Sequence, residues 1–192
     1  MPNWCNNTLE LHHDDPKMIV RAFNAIQDDR FFSEFVPCPQ ELSETVSGFH
    51  GKGTPEQADL ERKQKENIEK YGYADWYSWS CANWGTKWEI CEPFCNGHDE
   101  NYLTMSFDTA WSPPIAFYEK MKDLGFVVRA FYYEPGMAFC GNWDDGDDNY
   151  YEITGNSEWV EQNIPTDIDC EFGISEGMAM FEEEADYTNQ EK

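Results

Sequence analysis

Strand-like and helix-like segments follow one another along this chain in an order that leaves few folds open to it. Residues 5–12 alternate apolar and polar side chains, which is the period of a half-buried strand. A helix follows, because Asp15 is a good N-cap and Pro16 stands at the first helical position. Apolar residues then recur at helical spacing over 19–26. The chain therefore opens with a strand that leads into an amphipathic helix.

Two further strands, a second helix and a fourth strand complete the pattern. Strands are predicted at about 87–94 and 102–108, and Asn96-Gly97 between them is a strong signal for the turn of an antiparallel hairpin. A helix begins at Ser112, and a strand returns after Gly125. This is the split βαβ order of a ferredoxin-like α+β fold, in which an antiparallel sheet carries its helices on one face.

Three additions to that core are predicted. Turn residues at Pro135-Gly136 and at 144–148 delimit two more strands, which extend the sheet, so the ferredoxin-like domain spans 1–155. A helical insertion is expected at about 28–86, between the first helix and the second strand. Residues 156–192 form an acidic C-terminal extension, which we expect to pack on the domain and to end in disordered residues.

The composition excludes several kinds of partner. Hydrophobic residues make up 40% of the 192 positions, which is enough to bury a core. Thirteen basic and 38 acidic residues give a formal charge of −25, which repels nucleic acid and anionic lipid. No segment has the ~20 apolar residues of a membrane helix, and the start has no signal-peptide pattern. We therefore expect a cytoplasmic protein with no direct nucleic-acid or membrane partner.

Seven cysteines at irregular spacing indicate reduced thiols rather than disulfides. Cys91 and Cys95 with His98 suggest zinc, but a structural zinc site needs a second pair of close ligands, which the sequence lacks. Cys5 or Cys140 would act as a nucleophile only with a histidine brought near by the fold. The sequence thus predicts no metal, no cofactor and no catalytic residue.

Long aromatic motifs are the most specific part of the sequence. They are Met1-Pro-Asn-Trp-Cys-Asn-Asn7, Asp75-Trp-Tyr77, Asn83-Trp-Gly-Thr-Lys-Trp88, Phe107-Asp-Thr-Ala-Trp-Ser-Pro-Pro114, Tyr132-Tyr-Glu-Pro-Gly136 and Phe139-Cys-Gly141. In their order and spacing, up to about Gly155, the chain resembles the YubB ferredoxin-like family of phage and conjugative-plasmid proteins. The resemblance implies a ferredoxin-like fold and a mobile-element origin, and it supplies no catalytic residues. The family's setting among early-expressed genes implies protection against host defences.

Polar residues among the tryptophans of these motifs have two interpretations. The residues are Asn7, Asn83, Trp84, Asp108 and Trp111. They could be hydrogen-bond anchors for loops that pack on an aromatic core. They could also converge into a small-molecule pocket, since polar groups in an aromatic cleft are typical of ligand sites. The sequence leaves both interpretations open.

Acidic residues are concentrated in the last third of the chain. Residues 140–192 contain sixteen Asp and Glu and one base, Lys192, for a net charge of −15, whereas residues 1–139 contain 22 acids and 12 bases, for a net charge of −10. Closely spaced carboxylates on a folded surface can imitate DNA, whose duplex presents one negative charge per ~1.7 Å of its axis. The competing interpretation is that these acids only keep the protein soluble.

In the functional interpretation these carboxylates form one patch that occupies the nucleic-acid site of a basic host protein. They are Asp144, Asp145, Asp147, Asp148, Glu158, Glu161, Asp167, Asp169 and Glu171, followed by Glu182, Glu183, Glu184 and Asp186. We therefore expect a non-enzymatic accessory protein that inhibits a host defence factor. The alternatives are a ligand-binding or enzymatic protein with a pocket near Asn83, Trp84, Asp108 and Trp111, and a homo-oligomer that pairs through exposed aromatic residues or sheet edges.

Overall fold

Six strands form a single antiparallel sheet in the computed structural model, which describes the backbone of residues 3–190 and the side chains of residues 3–184. The strands are β1 (Trp4–His12), β2 (Cys91–His98), β3 (Tyr102–Ala110), β4 (Val127–Glu134), β5 (Phe139–Asp144) and β6 (Asp147–Glu152). Their spatial order is β2-β3-β1-β4-β5-β6. The first four strands have the ferredoxin-like order and the last two extend the sheet, so the predicted fold class is confirmed.

Nine helices are described, and they lie on both faces of the sheet. They are α1 (Pro16–Gln27), α2 (Phe31–Phe35), α3 (Gln40–Ser43), α4 (Pro55–Tyr71), α5 (Trp76–Asn83), α6 (Ile115–Asp123), α7 (Ser157–Asn163), α8 (Thr166–Phe172) and α9 (Ile174–Gln190). The backbone nitrogen of Lys17 donates to the Asp15 carboxylate at 3.0 Å, as expected of the N-cap of α1. Helices α2 to α5 occupy the predicted insertion between α1 and β2. Within residues 3–190 none of them combines the length and apolarity needed to cross a membrane.

The main core lies on one face of the sheet, which we call the core face. Leu9, Leu11, Met105 and Val128 point to it from β1, β3 and β4. The helical side is supplied by α1, α2, α5 and α6, with Ile19, Phe31, Phe32, Trp79, Phe117 and Tyr118 among its buried residues. The alternate positions of the same strands point to the opposite face, which we call the far face.

The far face is covered over β4 and β5 by the C-terminal helices. Val160, Ile164, Ile168 and Ile174 pack there with the buried Cys140, and Phe131, Tyr133 and Tyr151 lie against them. The prediction of helices on one face therefore holds for the helices up to α6 and misses α7 to α9. The physical reason is that β4 and β5 carry apolar side chains on both faces of the sheet, so helices have to bury these side chains on both faces. Residues 191 and 192, part of the predicted disordered end, lie outside the described residues.

One predicted turn is wrong. Asn96-Gly97 lies inside β2, next to a bulge between Cys95 and Gly97, and the hairpin turns at 99–101 instead. There the Asp99 side chain accepts from the backbone nitrogen of Asn101 at 2.9 Å, and this Asx turn replaces the expected one. The turn between β4 and β5 contains Pro135-Gly136 as predicted, and its left-handed residue is Ala138, with φ of 56°.

Candidate functional site

The predicted acidic patch begins in the hairpin between β5 and β6. Asp145 and Gly146 form its turn, with φ of 46° and 120°. Asp144 accepts from the Arg129 Nε at 3.1 Å, and an Asp145 carboxylate oxygen lies 3.8 Å from the Lys122 Nζ. Two of the four predicted hairpin carboxylates are therefore paired with cations.

The other two hairpin carboxylates point to opposite faces of the sheet. Asp147 pairs in register with Asp144 on the far face, whereas Asp148 pairs with Trp143 on the core face. Asp148 accepts from the Tyr132 hydroxyl at 2.7 Å. Burial, together with the neighbouring Asp148 carboxylate, raises the pKa of Tyr132. The four residues thus do not form one continuous cluster.

Carboxylates of the C-terminal helices mostly hold those helices in place. Asp169 accepts from the backbone nitrogen and hydroxyl of Ser175 at 2.7 and 2.6 Å, where α9 begins. Glu171 accepts from the Thr8 hydroxyl at 2.7 Å and so ties α8 to β1. Asp167 accepts from the backbone nitrogen of Ile168 at 3.0 Å. These predicted binding residues have structural partners already.

In α9, one predicted carboxylate holds a structural contact and another is exposed. Glu182 accepts from the backbone nitrogen and hydroxyl of Ser157 at 2.9 and 2.7 Å, which joins α9 to the start of α7. Glu183 is exposed, and the side chain of Asp186 lies outside the described residues.

Of the predicted carboxylates that precede α9, three are exposed and have no hydrogen-bond or ion-pair partner within residues 3–184. They are Asp147, Glu158 and Glu161, which we call the free acidic set. Because they hold no structural contact, they are the members of the predicted patch that can meet a partner without disturbing the fold.

The five residues of the predicted pocket are not brought together. Trp84 lies in the core, where its indole nitrogen donates to the Val36 carbonyl at 2.9 Å. Asn83 donates to the Trp79 carbonyl at 2.9 Å at the end of α5. Trp111 is exposed at the end of β3.

Asn7 and Asp108 lie at neighbouring strands of the sheet. The Asn7 amide is buried and donates to the Thr109 hydroxyl at 2.9 Å, as a hydrogen-bond anchor does. Asp108 points to the far face, where it accepts from the Asn6 amide at 2.7 Å. Both residues border a groove of about 440 Å³ on the uncovered half of the far face.

The groove is polar and acidic. Its walls are β2 on one side and the end of α8 on the other, and Asn6, Thr8 and Ser106 are among the residues that line it. Asp108, Glu92 and Glu171 bring carboxylates to it, and there is no Lys or Arg among the described residues that line it. Asn6, Glu92, Asn96 and Ser106 line the groove and were not predicted as site residues. The alternation of the strands could have identified Asn6 and Ser106, because it places these polar residues on the face opposite the core. Glu92 could not have been identified in this way, since it lies at an irregularity of β2, where its φ is 48°.

Three of the thiols, those of Cys5, Cys38 and Cys140, do not have the properties of catalytic nucleophiles. Burial raises the pKa of Cys140 and of Cys38 to about 11, and burial also raises the pKa of Cys5. The reactive thiolate is therefore scarce at these positions near neutral pH. Among the described side chains no group of three or more His, Cys, Asp or Glu is arranged to hold a metal ion.

Comparisons with known proteins add little to this geometry. No protein-family model matches the chain, and a search of curated proteins finds no match. Among solved structures, the chain is similar to the crystal structure of a protein api92 from Yersinia pseudotuberculosis, of the family DUF1281. The two are 12% identical, the match covers 81% of this chain and 99% of that chain, and the TM-score is 0.43. A likeness of this degree carries no argument about function.

Proposed function

We propose that this protein is a non-enzymatic inhibitor that binds a basic, nucleic-acid-binding host protein through the carboxylates of its far face and C-terminal helices. The surface imitates the charge of DNA, and the partner is a defence factor of the host cytoplasm. The resemblance to phage and conjugative-plasmid proteins supports a host target, because proteins encoded there act inside the host cell.

One observation carries the proposal. The six strands and the three C-terminal helices together contain eighteen Asp and Glu but a single Lys or Arg, which is Arg129. Three of these acids, Glu134, Asp148 and Glu152, stand at core-face positions of their strands and lie outside the proposed surface. The remaining basic residues of the described chain lie in the other helices and the loops. A surface of one sign attracts an oppositely charged partner over distances of about a Debye length, ~8–10 Å at physiological salt.

The uncovered groove adds further carboxylates to the same side of the molecule. Glu171 belongs both to α8 and to the groove wall, so the groove carboxylates adjoin those of the C-terminal helices. A groove with three carboxylates and no cation among its lining residues suits the insertion of a Lys or Arg side chain. Asp108 and Glu171 each accept one hydrogen bond within the protein, so we expect them to add to the contact through the second oxygen of each carboxylate.

The decisive experiment captures partners from host lysate with wild-type protein and with a variant of the free acidic set, Asp147→Asn, Glu158→Gln and Glu161→Gln. We expect wild type to retain a basic protein at low salt and to release it as salt rises. Three lost carboxylates should weaken binding about tenfold or more, by analogy with interfacial charge pairs. Within residues 3–184 the side chains of these three residues have no hydrogen-bond or ion-pair partner, so the variant should remain folded.

The matched control neutralises three exposed carboxylates elsewhere, Glu69→Gln, Glu100→Gln and Glu119→Gln, and removes the same total charge. A partner that both variants release equally responds to net charge alone. That result, or a complex that is indifferent to salt, would overturn the proposed surface.

A further inference from the structure

Four aromatic side chains and one lysine cluster at the end of the sheet where β3 stops. The Lys87 Nζ lies 4.3 Å from the ring centre of Trp88, 4.9 Å from that of Trp111 and 5.7 Å from that of Tyr77. Trp4 supports Trp88 from behind, with their ring centres 6.3 Å apart. We call Tyr77, Trp88 and Trp111 the aromatic box; all three rings are within the distance at which a cation is attracted to a ring face.

Lys87 differs from the basic residues of this chain that are paired with acids. Eight others have a carboxylate within ion-pair distance, namely Arg21, Arg30, Arg62, Lys63, Lys70, Lys120, Lys122 and Arg129. In the part of the chain with described side chains, Lys87 has no such pair and contacts aromatic rings instead. The aromatic box therefore holds an ammonium group without help from a carboxylate.

The aromatic box includes a residue with a strained backbone conformation, and its indole rings are exposed to solvent. Trp111 has φ of 72°, a left-handed conformation that side chains other than glycine rarely adopt, and its backbone nitrogen donates to the Asn3 carbonyl at 3.0 Å. Trp88 and Trp111 are 39% and 41% exposed. Residues kept in such conformations concentrate at functional sites, and two large exposed indoles are typical of binding surfaces. The core does not require them, since neither ring belongs to its buried clusters.

We infer that the aromatic box is a recognition site for a Lys or Arg side chain of the partner, and that Lys87 occupies it as an internal substitute until the partner binds. This inference rests on the proposed function for the source of the cation, because the partner proposed above is basic. The box adds selectivity for the shape of the cation, which carboxylates alone do not provide, because flat ring faces bind a cation according to its shape as well as its charge. Lys87 then acts as a competitor that lowers the affinity for isolated cations.

The test uses a probe that does not depend on any partner. N-acetyl-arginine amide is titrated into the full chain, and binding is followed through the indole N–H signals of Trp88 and Trp111, assigned from Trp88→Phe and Trp111→Phe variants. The Lys87→Gln variant should bind the probe about tenfold more tightly than wild type, because the internal competitor is gone. Adding Trp88→Leu to Lys87→Gln should abolish that gain.

Two controls separate the box from general charge effects. N-acetyl-citrulline amide has the shape of the arginine probe without its charge, and should bind no variant. Lys65→Gln removes an exposed lysine that has no ion pair among the described residues, and should leave the affinity of wild type unchanged. Equal binding by wild type and Lys87→Gln, or a gain that survives Trp88→Leu, would overturn the inference.

The capture experiment then distinguishes the failure of this inference from the failure of the proposed function. In one outcome, wild type and Trp88→Leu retain the partner equally and the variant of the free acidic set releases it. This outcome would support the acidic surface and would show that the box is not part of the interface. A partner lost with Trp88→Leu supports both.

Discussion

The two helical layers of this molecule are held to the sheet in different ways. The layer on the core face packs through large aromatic and aliphatic side chains. Some of its carboxylates cap helices, as Asp15 does, and others pair with Arg and Lys, as Glu34 does with Arg21 and Arg30. The layer on the far face has a small apolar cluster, and its carboxylates accept from hydroxyl and backbone N–H groups. The difference shows that acidic residues in this chain stabilise the fold in two ways, by ion pairs and by hydrogen bonds to neutral donors. Only a few acidic residues therefore remain for binding a partner.

The largest expected effect follows from removing an aromatic ring in the core-face layer. Phe117 is fully buried between Phe31 and Phe32, with ring centres at 5.0 and 4.5 Å. Phe117→Ala should lower the free energy of unfolding by about 3–5 kcal/mol, through lost burial and the cavity left behind. Urea denaturation measures this, and Phe94→Ala at an exposed position of β2 serves as the control, with a loss below about 1 kcal/mol.

A smaller and more local effect is expected in the far-face layer. Ile168 is fully buried between α8 and the sheet. Ile168→Ala should cost about 2–3 kcal/mol, and the loss should appear first in the C-terminal helices, because little other apolar contact holds them. Hydrogen exchange should accelerate over 157–184 while β1 stays protected. Equal acceleration in both would show that the two layers unfold as one unit.

The smallest effect concerns a surface ion pair in the core-face layer. The Lys70 ammonium beside Glu41, at 2.5 Å, lowers the pKa of Glu41 to about 2. Because the pKa is lower in the folded chain, the pair stabilises the fold above the ordinary Glu pKa of ~4.3, and this contribution is lost as pH falls toward 2. A carboxyl NMR titration of Glu41 should give a midpoint near 2 in wild type and a midpoint clearly shifted toward the ordinary value of ~4.3 in Lys70→Met. An unchanged midpoint in the variant would contradict the pairing.

The sequence was sufficient for the fold and insufficient for the site. Alternation in residues 5–12 and the cap at Asp15 are local signals, and local signals determine strands and helices whose order then allows few topologies. The site depends on which carboxylates find partners, and that is decided by residues distant in sequence. Thr8 lies 163 positions from Glu171, and Ser157 lies 25 positions from Glu182.

The predicted pocket failed to assemble for a related reason. Asn7 and Asp108 are one register step apart on neighbouring strands, so they point to opposite faces of the sheet. A motif rich in tryptophan did not reveal which ring would enter the core, as Trp84 does, and which would face solvent, as Trp111 does. That choice depends on the insertion helices and the left-handed residue at the end of β3.

The two outermost strands bear on how copies of this protein could associate. β2 contains Pro93 and two register shifts, and β6 begins with two aspartates and ends with Glu152. Proline, bulges and charge each hinder a further strand from hydrogen-bonding to an edge. Both edges of the sheet therefore disfavour the addition of a strand from a neighbouring molecule, so association of copies into fibres through shared backbone ladders is disfavoured and association through side chains is favoured.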